Sequence, residues 1–464
     1  MTEVLEAANE TLTEGLSAHL VSEVRKISAA DVSEHALERA RHAVLDWVGV
    51  TISGGQQASS RIAQQICREE GGSQTTFAVG APGKMTARQS ALCTGIASHS
   101  QDFDDMGFFL HPSIVVLPAA FAVVDELDAD GKTLLESLLM GYETLRISML
   151  TVTDASYARG WHCTGTFGAL SSAIAAGSAL GLDAEQMLQS LGTAGTMASG
   201  LRSSFGTMGK HLNSGNASAA GVLAAKLVQA GFTGARDVLE SPKGFASAFN
   251  FPSDAFDPNH EGISLGERLG VEEIIFKLHA ACGGTHSAID GIRSIRARRP
   301  FTIDEVEGVE FVVPALTPGV CGIENPKTGL EGMFSVHFAA AVALADRETG
   351  TAAFTDETVR DPVLVAAQRL VKVTPVDRLS HMSHPTETTL TFKNGDVETA
   401  RIDIFKPRSD EDLGNQWNDL VEKFHALVAP ILGDVRSEQL VETIARFETL
   451  GSVRELTAMT IPNS

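Results

Sequence analysis

From Ser33 to about Gly200 apolar residues recur with a helical period, and Leu37, Ala40, Val44 and Val48 fall on one face. That pattern commits the first half of the chain to packed helices. Within it, the segment holding Gly165, Gly168, Ala169, Ser172, Ala173, Ala176 and Gly177 has no bulky stripe, so neighbours can approach its axis closely, as at the centre of a bundle. Thr86 with Gln89, and Asp183 with Gln186, have the spacing of capping boxes and mark two helix starts. After about Ile263 short β-type runs appear, at Val309 to Val313, Thr386 to Phe392 and Val397 to Ile404. Asn394-Gly395 between the last two predicts a hairpin with a type I′ turn. Helical period returns from Gln416 to Leu450. The expectation is a mainly α fold: a large all-helical domain over residues 1–265 that is completed by 406–464, with a smaller α+β domain inserted at 266–405.

Charge narrows the function. The 464 residues carry a formal net charge of −22, a field that repels nucleic acid and anionic lipid, so no nucleic-acid partner is expected and no membrane partner either. An acidic substrate would need a local cluster of cations against that field. Five scattered cysteines make no disulfide framework. Residues 1–10 are acidic and lack the basic and apolar blocks of a signal peptide, so a cytoplasmic location is expected. The uncharged stretch from Gly160 to Leu182 reads as a buried helix rather than a membrane span, because Gly, Ser, Thr and His162 dilute it.

Four clusters carry chemistry. The first runs from His99 through Asp102, Asp104, Asp105 and Met106 to His111; its three carboxylates within four positions need a cation, solvent or catalytic use to coexist. Mg²⁺ is one reading, although the spacing is not that of an EF-hand. The second is His162-Cys163 at the entry of the small-residue helix, where adjacent side chains point apart and form no dyad. The third is Arg202, Lys210 and His211 before Asn213-Ser-Gly-Asn, a cationic helix start suited to a carboxylate or phosphate. The fourth is Lys277, His279, Cys282 and His286 at another helix start, where a thiol should have a lowered pKa. Zinc through His279, Cys282 and His286 would lack a fourth ligand, so no zinc site is expected there.

Taken together, His99-Ser-Gln-Asp-Phe-Asp-Asp with His111-Pro-Ser, His162-Cys-Thr-Gly-Thr-Phe-Gly, Lys210 before its helix, and Lys277 before Cys282 resemble the MmgE/PrpD family. The resemblance covers nearly the whole chain. It implies a homodimer, a cofactor-free site between a helical and an α+β domain, and a small polycarboxylate substrate. It carries a catalytic-site role to Asp102, His111, His162, Lys210 and Lys277. Met106 stands where the family's decarboxylases have Thr, and Cys282 where they have His, so the resemblance is nearest to the family's iminodisuccinate epimerase. The expected activity is therefore epimerisation: Lys277 or Cys282 moves a proton on one face, His162 or His111 on the other, Asp102 orients a histidine, and Lys210, Arg202, Met106, His99, His279 and His286 bind substrate. The alternatives are dehydration of a 2-methylcitrate-type acid, decarboxylation of a cis-aconitate-type acid, or a non-catalytic helical scaffold.

Overall fold

The computed structural model describes residues 15–108, 110–150, 154–249, 261–376 and 385–462. The acidic start of the chain, residues 1–10, lies outside them. The longer helices are α1 (Leu16–Val24), α2 (Glu34–Gly54), α3 (Ala58–Glu70), α4 (Ala87–His99), α5 (Ser113–Leu127), α6 (Gly131–Met149), α7 (Cys163–Ala179), α8 (Ala184–Gly195), α9 (Gly209–Gln229), α10 (Gly283–Arg298), α11 (Val336–Leu344), α12 (Leu413–Leu432) and α13 (Asp434–Ile444). A two-residue ribbon, β1 (Thr76–Phe77) and β2 (Lys84–Met85), precedes α4.

The small-residue helix is α7, and it does sit at the centre, packed against α5, α6, α8 and α9. Its smallness is used at the crossing with α9, where a Cβ on Gly221 would stand 2.3 Å from Ser172 Cβ and 2.4 Å from Ser172 C. Gly221→Ala should therefore lower stability by about 1–3 kcal/mol, the usual cost of overpacking; urea denaturation measures it, and an unchanged midpoint would mean that α7 and α9 separate freely. Both capping boxes form as the spacing predicts, Thr86 with Gln89 at α4 and Asp183 with Gln186 at α8. None of the described helices is long and apolar enough to cross a membrane.

Strands β3 (Val306–Pro314), β4 (Val371–Val376), β5 (Thr386–Phe392) and β6 (Val397–Ile402) make one sheet in the order β4-β3-β5-β6. β4, which has no alternating pattern strong enough to be read from sequence, runs parallel to β3, and the other pairs are antiparallel. Helices α10 and α11 pack on this sheet. The hairpin forms between β5 and β6, but its turn is not type I′. That turn needs positive φ at both Asn394 and Gly395; only Gly395 has it, at 87°, and Gly395 N–H donates to Phe392 O at 2.9 Å, giving a type I turn closed by a left-handed glycine. Beyond the sheet, α12 returns to pack along α2.

Candidate active site

Helix ends and their flanking loops converge on a cavity of about 360 Å³. α4 ends at His99; the following loop carries Asp102, Asp104, Asp105, Met106 and His111 and ends where α5 begins. His162 immediately precedes α7, Lys210 lies in the first turn of α9, and Lys277 to Cys282 lead into α10. Helix ends leave backbone groups unpaired, so polar side chains collect there without breaking a core. Met106 and Ile275 exchange two main-chain hydrogen bonds of 2.8 Å, which stitch the acidic loop to the lysine segment.

Asp102 is the centre of charge. Its Oδ1 accepts from Lys210 Nζ at 2.8 Å and from Lys277 Nζ at 2.9 Å, and its carbonyl accepts from Lys277 Nζ at 2.8 Å. Burial acts to raise the Asp102 pKa, but Lys210 and Lys277 outweigh it and hold the carboxyl well below its usual range. Burial likewise acts against the Lys277 charge, and Asp102 and Asp104 more than restore it, so the net shift is upward. Lys277 is thus a fixed cation rather than a base.

Asp104 orients the imidazoles, a role the sequence reading gave to Asp102. Its Oδ1 lies 2.9 Å from His99 Nδ1 and its Oδ2 lies 2.7 Å from His111 Nδ1. His111 Nδ1 is also 3.0 Å from Asp105 O. Acceptors on that side put the ring proton on Nδ1 and leave the lone pair of Nε2 free, 4.0 Å from Asp102 Oδ1. His162 is poised oppositely: the Asn213 amide nitrogen lies 3.0 Å from its Nδ1, which places the proton on Nε2. Burial lowers the pKa of all three histidines, with Lys210 adding to it at His99 and His162; His99 falls to about 3. A bound polyanion would raise them again, because opposite charge favours the protonated ring.

Met106, His111, His162, Lys210 and Cys282 line the cavity, together with Tyr157, Glu273, Phe205, Phe334 and Phe405. The Lys210 ammonium stands 5.3 and 4.9 Å from the Phe205 and Phe334 ring centroids. Cys282 stands at the N-cap position of α10 without a side-chain capping bond, and its thiol pKa is lowered, first by a hydrogen bond from Cys321. Asp102, Lys277 and His99 are buried directly behind this wall.

Four expected substrate ligands do not line the cavity: His99, buried behind it on Asp104, and three placed elsewhere. Arg202 lies over the Tyr157 ring at 3.9 Å and donates to Tyr157 O and Gly319 O, so its guanidinium braces the wall instead of entering the cavity. His279 is held between Thr349 and Asp290, and His286 Nε2 is 3.1 Å from Ala281 O. Both brace the turn before α10. Sequence reading gave no site role to Tyr157, Phe334 and Phe405; Tyr157 lies beside a motif it singled out, whereas the phenylalanines come from distant segments with no local signature. A wider groove of about 890 Å³ on the α+β part holds none of the titratable cluster.

Among the described residues, His99, Asp102, Asp104 and His111 each offer a ligand atom, all within 4.8 Å of one another. Two ammonium groups already contact Asp102, and their repulsion at that distance opposes a divalent cation.

The fold and site define a mainly helical protein with an α+β part and a buried array of fixed cations and neutral imidazoles suited to moving protons on an anionic ligand. Residues 18–256 match the MmgE/PrpD N-terminal domain and residues 279–449 the MmgE/PrpD C-terminal domain. The chain belongs to the MmgE/PrpD family. It is 26% identical to a cis-aconitate decarboxylase of Aspergillus terreus over 97% of both chains. It is 25% identical to the cis-aconitate decarboxylases of mouse, over 92% of this chain and 90% of that one, and of human, over 94% and 92%.

Proposed function

We propose that the protein is a lyase acting on a small polycarboxylate, with loss of CO2 from a cis-aconitate-type acid as the leading reaction. The observation that carries this is Lys210 in a phenyl-lined cavity beside an oriented, neutral His111. Lys210, with Lys277 behind it, neutralises the carboxylate next to the carbon on which charge develops. The phenyl rings of Phe205 and Phe334 give poor solvation to a second carboxylate and good accommodation to neutral CO2. As the C–C bond breaks, its electron pair forms the new double bond, the old double bond shifts, and its distal carbon takes a proton. His111, protonated once the polyanion is bound, delivers that proton, and neutral His162 holds a carboxylate through Nε2–H.

The relatives favour this reading over the epimerase expected from sequence, since those named above are decarboxylases. Dehydration of a hydroxy acid is the second reading, supported by His111 as a base and His162 as a donor to a leaving hydroxyl.

Proton NMR in D2O with cis-aconitate, citrate, 2-methylcitrate and iminodisuccinate tests it. The expected result is consumption of cis-aconitate with one deuteron in the product. New olefinic signals from a citrate would select dehydration, interconverting iminodisuccinate stereoisomers would restore the epimerase, and no change in any sample would remove the substrate assignment.

A further inference from the structure

Behind the cavity, the ammonium of Lys423, midway along α12, is buried and fully used. Its three N–H groups meet three acceptors: Asp46 Oδ1 on α2 at 2.6 Å, Phe103 O at 2.6 Å and Lys277 O at 2.8 Å. The same ammonium lies 3.9 Å from the Phe103 ring centroid. The two carbonyls belong to the residue after Asp102 and to Lys277 itself. One side chain from the C-terminal return therefore grips both backbone segments whose side chains meet in the Asp102–Lys277 contact. The grip acts where the chain most needs holding, because Asp102 has φ 48°, in the left-handed region.

We infer that Lys423 is a positioning residue for the proposed reaction: by bridging the Phe103 and Lys277 carbonyls it sets the separation of Asp102 and Lys277, and through them the place of Lys210. It touches no substrate. This rests on the catalytic reading above, and a buried Lys423–Asp46 ion pair serving stability alone is the competing explanation. The two differ in what happens when the charges are removed together. Breaking the pair strands one buried charge, whereas removing both relieves it. The two carbonyl contacts hold the segments in either case, and only the positioning role ties them to kcat.

The test compares Lys423→Met with the double variant Asp46→Asn/Lys423→Met. Lys423→Met should lose stability and lose about 10²-fold in kcat, the scale of a misplacement of about 1 Å, with little change in KM. The double variant should recover the part of the stability that a stranded Asp46 charge costs, the two carbonyls staying unpaired, and still show the loss in kcat. Recovery of kcat along with stability would overturn the proposal and leave a structural ion pair. Crystal structures of the wild type and double variant decide separately from activity. A lengthened Asp102–Lys277 contact in the variant is expected, and an unchanged contact overturns the proposal even if the wild type turns over none of the acids tried.

Discussion

Lys277→Met is expected to lower kcat/KM for the acid that the wild type consumes by about 10²–10³-fold, the range seen when one preorganised donor is removed from a site of developing negative charge. The reason is placement. Lys277 has no exposed surface, holds both the carboxylate and the carbonyl of Asp102, and has its own carbonyl fixed by Lys423. Methionine fills a similar volume without the charge, so the loss isolates electrostatics from packing. Lys210 remains to compensate Asp102, so the stability cost should be about 3 kcal/mol, the low end for breaking a buried pair. Lys210→Met should differ in kind, raising KM as well, because Lys210 lines the cavity whereas Lys277 stands behind it. Steady-state kinetics and thermal denaturation of both variants decide this. A Lys277→Met enzyme within threefold of wild type would show that the second cation is dispensable.

Acid should unfold the protein well above the pH at which ordinary carboxylates titrate. Burial keeps His42 and His211 neutral down to about 4 and His99 down to about 3, and it lowers His111, His162 and His286 as well. An unfolded histidine takes its proton near 6.5. Below 6.5, and down to about 4 for His42 and His211 and about 3 for His99, the unfolded chain therefore binds more protons than the folded one, the other three rings acting in the same direction, and stability rises with pH. Asp105 opposes this: burial raises it to about 8, so between 3.8 and 8 the folded state binds the extra proton there. Asp46 and Glu273, also raised by burial, act in the same direction as Asp105, with Lys423 countering the rise at Asp46. The buried histidines outnumber the carboxyls that burial raises, so a net loss of stability is expected on going from pH 6.5 to 5. Urea midpoints at pH 7, 6 and 5 measure it. A flat midpoint would mean that these rings accept protons in place, with local rearrangement absorbing the cost.

The sequence made much of this legible, unevenly. Helices, caps and the central packing helix were readable because each rests on periodicity or on a spacing of three or four residues. The polar members of the site were readable because they cluster at helix ends within short segments. Relations between segments were not. Asp102 and Asp104 sit two positions apart with the same chemistry, and nothing local says that one faces lysines 108 and 175 residues away while the other faces two imidazoles. Arg202 and His279 look like substrate ligands in isolation, and only the tertiary contacts show their hydrogen bonds spent on the main chain and on Thr349. The turn type at Asn394 was missed because the loop is one residue longer than the dipeptide signal implies.

The tie from Lys423 to Asp46 spans 377 residues, and the contact between Lys277 and Asp102 spans 175. At about 5–20 residues per second of synthesis, the ribosome releases the last of these groups tens of seconds after the first. The helices of the first half can collapse in that interval, with Asp102 and Lys210 already paired but the second lysine and its anchor still to come. Nascent chains and prematurely terminated products would thus carry most of the chemistry-bearing side chains in a compact body without the geometry to use them, so that competence arrives only with the nearly finished chain.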